Sequence, residues 1–107
     1  MGERVALLRL LDCRVRSTFD VRSPALEGFT CRAASGSITV FRYPTAPPDA
    51  DVEHKRGRAC HYATRVGRDE AWIAVGGDWL GWSLHESTLA GLADDVATVS
   101  TIDCGAL

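Results

Sequence analysis

The chain has 107 residues, 46% apolar and 24% charged, with a formal charge of −2. That is enough for one domain with a single core that needs no obligatory staples. No run is long and apolar enough to span a bilayer as a helix, and so small a net charge excludes strong long-range steering of a charged partner. The charges are divided unevenly: residues 1–68 hold all twelve Lys and Arg against seven acids, net +5, and residues 69–107 hold seven acids and no Lys or Arg, net −7. Two halves packing together would neutralise each other; a bipolar surface recognising a charged partner is the alternative. Eleven of the twelve cations are Arg, and Ala and Val are abundant. This is the signature of high-GC coding, so arginine richness alone is no nucleic-acid signal.

From the amino terminus, Glu3 to Leu11 reads as a short amphipathic helix with Leu7, Leu8, Leu10 and Leu11 as its buried stripe. Arg9 interrupts the apolar run, and Asp12 is a poor neighbour for a lipid-modified cysteine, so any export signal lies outside this sequence. From Cys13 the pattern alternates strictly. Cys13, Val15, Ser17, Phe19 and Val21 fall on one face, with Arg14, Arg16, Thr18, Asp20 and Arg22 on the other. This predicts a half-buried strand with a basic outer face, broken at Ser23-Pro24. Arg14, Arg16 and Arg22 are the candidate partner-binding residues.

Gly28–Ala34 and Ser37–Tyr43 predict a hairpin, ended by Pro44. Residues 44–58, PTAPPDADVEHKRGR, are proline-rich, then charged, and lack an apolar period. They are expected to form the main exposed loop, which admits one helical turn after Pro48. Arg58–Val66 reads as a further strand, and residues 67–70 as a turn.

Residues 71–99 organise the rest. Gly76-Gly77-Asp78 separates two apolar runs, and such residues supply the positive φ of a tight hairpin. A two-residue turn places Ile73, Val75, Leu80, Trp82 and Leu84 on one face and Trp72, Ala74, Trp79, Gly81 and Ser83 on the other, whereas a three-residue turn breaks up the apolar set. The first face is core. On the second, two indoles flank Ala74 and Gly81, an arrangement that either admits a closely packed helix or forms a flat slot. Trp72, Trp79 and Gly81 are the candidate ligand-binding residues on the slot reading. Ser87 is a suitable N-cap for a helix carrying Leu89, Leu92, Ala93, Val96 and Ala97 on one stripe. Val99–Cys104 then adds an edge strand. The expected fold is α+β in one domain: a mostly antiparallel sheet of five or six strands with an N-terminal and a C-terminal helix packed on one face.

Cys13, Cys31, Cys60 and Cys104 are even in number and allow three pairings. Cys13–Cys31 would join neighbouring strands and Cys60–Cys104 would tie the tail to the sheet, each stabilising by roughly 3 kcal/mol. Two bridges imply an oxidising compartment; four buried thiols in a cytosolic protein are the alternative. A close C-x-x-C or H-x-x-H pair is absent, so neither a metal nor any other cofactor is expected. Adjacent Cys60-His61 would point to opposite faces of a strand, His54 falls in the charged loop, and His85-Glu86-Ser87 lacks a G-x-S-x-G elbow. No catalytic residue is assigned, and an enzyme is disfavoured.

The segments CRAASGSITVFRYP and AWIAVGGDWLGWSL followed by a terminal helix resemble, in layout over about residues 28–104, small exported domains of high-GC Gram-positive bacteria. Those occur as lipoproteins and as extracytoplasmic sensor domains, with short helices on an antiparallel sheet and paired cysteines. The resemblance implies a location outside the cytoplasm, secreted or membrane-anchored, and carries over no functional residue. The resulting expectation is a non-catalytic binding or sensor domain contacting a protein or small-molecule ligand through the Trp72/Trp79 face or the 44–58 loop. The alternative is a cytoplasmic regulatory module binding nucleic acid through the Arg14/Arg16/Arg22 face, against which the acidic last third weighs.

Overall fold

The computed structural model describes residues 14–33, 36–85 and 98–106, with 14–17, 33, 98 and 106 described by their backbone alone. Strands β1 (Arg14–Phe19), β2 (Glu27–Ala33) and β3 (Gly36–Arg42) precede helix α1 (Asp49–Arg65). Strands β4 (Glu70–Val75), β5 (Trp79–Ser83) and β6 (Thr98–Asp103) follow it, and a 3-10 turn at Cys104–Ala106 closes the described chain. The strands form one sheet in the order β1-β2-β3-β5-β4-β6, every neighbouring pair antiparallel. The α+β class and the antiparallel sheet follow the sequence pattern, and β6 is the edge strand expected at 99–104. Because β5 is antiparallel to both β3 and β4, these two run parallel, and α1 is the crossover that joins them across one sheet face.

The helix corrects two expectations. The stretch 44–58, expected as an exposed loop, and 58–66, expected as a strand, become one helix from Asp49 onward. Its buried stripe is made of small residues, Ala59, Cys60 and Ala63, extended by the partly buried Val52, Lys55 and Arg56. These recur at helical spacing, yet only Val52 is a large aliphatic, so the period is weak by hydropathy. Small side chains are what allow a helix axis to approach a sheet closely. Asp49 and Asp51 in the first turn and Arg65 in the last complement the helix dipole. The helices expected at 3–11 and 88–97 lie outside the described residues, so the expected pair of terminal helices has no support there.

Gly57 sits in the middle of α1 and is exposed, with nothing within 4 Å of where a Cβ would stand. A glycine there costs about 1 kcal/mol relative to alanine. Gly57→Ala is therefore expected to raise the urea midpoint by the equivalent of roughly 0.5–1 kcal/mol with an unchanged m-value. A neutral or destabilising result would mean this stretch is a loop in solution.

The central hairpin pairs Val75 with Leu80 and Ile73 with Trp82, the register of a two-residue turn at Gly77-Asp78. The Gly76 amide donates to the Trp79 carbonyl at 2.9 Å. The expected reason for the glycines is corrected, because positive φ among the described glycines occurs at Gly36 and Gly67 and at neither turn glycine. Gly76 is needed for space: the Trp79 indole lies where its side chain would be.

Both faces of this hairpin are as the alternation predicts. Ala71, Ile73, Leu80, Trp82 and Ile102 form the core beneath α1 together with Ala59, Cys60 and Ala63. On the opposite face Phe29, Cys31, Ile38, Val40, Ala74 and Trp79 cluster, all buried. In β1 a register shift between Val15 and Ser17 interrupts the strict alternation expected over 13–22, and the strand stops at Phe19.

Cys60 and Cys104 form the expected disulfide, with Cα atoms 5.2 Å apart. Since Cys60 lies on α1, the bridge ties the end of β6 to the helix, where the sequence suggested a tie to another strand. Cys13 lies outside the described residues; Cys31 is buried in β2, and no described cysteine is a free thiol.

Candidate functional site: an aromatic and cationic cleft

Six strands spaced about 4.8 Å apart present a face roughly 24 Å wide, and a helix with its side chains is only about 10 Å across. One helix cannot cover that face. Helix α1 packs on β4, β5 and β6, and over the β1–β3 side a cleft of about 960 Å³ remains open.

The floor consists of two adjacent rows of paired residues. One row runs Phe19–Gly28–Phe41, continuing under the helix to Leu80, and the next runs Thr30–Thr39–Trp82. Gly28 lets the Phe19 ring fold across it, since a side chain there would collide with that ring. Phe19 then meets Phe41 edge-on, with centroids 5.6 Å apart and planes at 69°. At the other end of the floor Trp82 stacks on Tyr62 of the helix, with centroids 5.5 Å apart and planes at 20°. Phe19 is 38% exposed and Tyr62 39%, so an aromatic surface at each end of the floor reaches solvent.

The helix supplies one wall. Asp51, Lys55, Arg58 and Tyr62 line the cleft and recur at i, i+4, i+7 and i+11, one stripe beside the stripe that packs on the sheet. The Lys55 ammonium lies 4.4 Å from the Phe41 ring centroid, 3.9 Å from Asp51 Oδ2 and 3.3 Å from His54 Nδ1. The Arg58 guanidinium lies 5.5 Å from the Tyr62 centroid, and its Nη2 donates to the Tyr62 hydroxyl at 3.4 Å. Asp20, Arg22 and Ser23, just past β1, line the remaining side.

Asp51 is engaged beneath the cleft as well, where the Tyr43 hydroxyl donates to its Oδ2 at 2.5 Å. Burial first, then the Asp51 hydrogen bond and charge, push the Tyr43 phenol far above its ordinary range, so it is a neutral donor at every physiological pH. With one carboxylate oxygen shared between Tyr43 and Lys55, the anionic character that Asp51 presents to the cleft is reduced. Among the described residues, no carboxylate lies within ion-pair distance of Arg22 or Arg58. On the helix wall Lys55 and Arg58 outnumber Asp51, while Asp20 and Arg22 balance on the opposite rim, so positive charge prevails on the helix side of the cleft.

The residues singled out in the sequence are distributed over two faces. Trp72, Trp79 and Gly81 lie on the face opposite the cleft. There the Trp79 indole covers Gly76, and Ile38 Cδ1 stands 3.0 Å from the position of a Cβ on Gly81. Trp72 is half-buried, and its buried indole nitrogen has no hydrogen-bond partner among the described residues. Arg22 is on the cleft rim; Arg14 and Arg16 are in β1, described by their backbone alone. Cys60 is in a disulfide and His61 is exposed on α1, with its ring edge-on to Tyr62.

Phe19, Phe41 and Tyr62 were not singled out by the sequence, whereas Lys55 and Arg58 belong to the 44–58 segment expected to contact a partner. A helical reading of 49–65 reveals the 51/55/58/62 stripe. Nothing local brings Phe19 beside Phe41, because their separation is closed only by the strand register. No protein-family model, no curated protein and no solved structure matches this chain.

Proposed function

We propose that this chain is a non-catalytic binding or sensor domain, acting outside the cytoplasm, whose ligand occupies the cleft between α1 and the β1–β3 side of the sheet. One observation carries the reading: exposed aromatic rings at both ends of an open floor, with lysine and arginine along its wall. Exposed rings stabilise a fold little and contact a ligand well. Placing the domain in an oxidising compartment draws on the Cys60–Cys104 bridge, since such bridges are rare in the cytosol. Among the described residues no helix is long and apolar enough to cross a membrane.

Fragment mapping by amide chemical shifts on the intact, oxidised chain tests the assignment. Weakly bound fragments are expected to converge on the amides of Thr30, Thr39, Phe41, Lys55 and Tyr62. Convergence on Trp72 and Trp79, or a scatter with no preferred site, would remove the cleft from consideration.

A second reading, contact with nucleic acid, is favoured by Arg22 on the rim of this cleft together with the Phe19 and Tyr62 rings, since single strands bind through basic grooves and aromatic stacking.

A further inference from the structure

Resting on the cleft as the binding site, we infer that its ligand is a small molecule with a flat aromatic ring and one anionic group, a carboxylate or a phosphate. The ring faces themselves argue against a cationic ligand. A cage for an ammonium group leaves its aromatic faces free for that group, whereas here Lys55 already lies over Phe41 and Arg58 over Tyr62. A second cation would meet like charge at both places.

A neutral ring would find stacking surface on the exposed Phe19 ring but would bring no anion to Arg22 and Arg58. Arg22 and Arg58 have no carboxylate partner among the described residues, and a guanidinium presents paired donors that match the two oxygens of a carboxylate or phosphate. The hydroxyls of Thr30 and Thr39 on the floor add polar contacts between the two aromatic ends.

Size restricts the ligand further. From β1, which carries Phe19, to β5, which carries Trp82 beneath Tyr62, there are three inter-strand steps, roughly 14 Å. That span suits a mono- or bicyclic ring with a short anionic arm. A mononucleotide and an aromatic carboxylate share this chemistry.

The test is a titration of the intact, oxidised chain, followed by amide shifts, with three indoles of similar size and with a nucleotide pair. Indole-3-acetate is the anion, tryptophol the neutral probe and tryptamine the cation; AMP is compared with adenosine. At least one of the two anions is expected to shift the Thr39, Phe41 and Lys55 amides and to bind at least tenfold more tightly than its uncharged counterpart, with tryptamine weakest. Preference for AMP over indole-3-acetate identifies the phosphate source, and the reverse identifies the carboxylate source. Arg58→Gln, a change at an exposed position, is expected to weaken the preferred anion about tenfold and so to shrink its advantage over the neutral counterpart. An undiminished advantage would overturn the role of Arg58 in anion binding.

Equal binding of charged and neutral probes in the cleft would overturn the anion inference and leave the cleft assignment standing. The absence of cleft shifts with every probe would also overturn it, while fragment mapping decides the cleft independently. A thymidine octamer that binds far more tightly than AMP, with affinity rising with length, would replace the small ligand by single-stranded nucleic acid.

Discussion

Replacing both Cys60 and Cys104 by alanine is expected to lower the melting temperature by about 15 °C. The bridge closes a loop with a sequence separation of 44, and restricting that loop in the unfolded chain is worth about 4 kcal/mol. For a domain of this size each kcal/mol moves the midpoint by about 4 °C. The bridge is also the covalent tie between α1 and the end of β6. The helix otherwise rests on the sheet through small side chains, Ala59 and Ala63, which bury little area each. The double variant removes both sulfurs and so leaves no unpaired thiol. Thermal unfolding of the oxidised wild type and the oxidised variant, which keeps Cys31 as it is in wild type, supplies the comparison. A loss below about 3 °C would mean that packing alone holds the helix and that the loop-closure account is wrong.

Trp82→Ala and Tyr62→Ala, the two halves of one aromatic stack, are expected to differ severalfold in cost. Trp82 is 9% exposed and belongs to the core beneath α1, and truncating a buried tryptophan costs about 3–5 kcal/mol. Tyr62 is 39% exposed and contributes its stacking and part of its area, about 1 kcal/mol. Urea unfolding curves for the two variants measure the difference, which is meaningful while their m-values match wild type. Both variants should also bind the cleft ligand less well, Tyr62→Ala while keeping most of its stability. That combination distinguishes a ring held out for a ligand from one held in for the fold. Equal costs would make Tyr62 a lid on the core, and the cleft would lose its helix-side aromatic surface.

The two comparisons separate what keeps the sheet and helix together from what the open part of the sheet is for. The face shared with α1 follows ordinary core logic, with Ala71, Ile73, Leu80 and Ile102 almost fully buried. The cleft over the β1–β3 side keeps the Phe19 ring of β1 and the Tyr62 ring of α1 in contact with water beside Lys55 and Arg58. Leu26 and Val66, the other large apolar residues exposed among those described, do not line the cleft, so the exposure of Phe19 and Tyr62 coincides with a concave site.

Alternation along the central hairpin was legible because it depends only on neighbouring residues, whereas the register shift between Val15 and Ser17 in β1 was not. The period of two in residues 71–84 determined which side chains share each face of the central hairpin, and the pairing of Val75 with Leu80 agrees with it. The even cysteine count pointed to the Cys60–Cys104 bridge, although not to the element carrying Cys60. Helix α1 escaped because its inward stripe is built from alanine, cysteine and the stems of Lys55 and Arg56, which hydropathy scores as polar or indifferent. The cleft escaped for a different reason. Phe19, Phe41, Trp82 and Tyr62 come from four elements, and only the strand order and register bring them onto one floor and wall. Local sequence thus determined the strands and their faces, since side-chain direction is a property of the backbone. The tertiary structure alone decided the cleft, since it exists where one helix is too narrow for a six-stranded sheet.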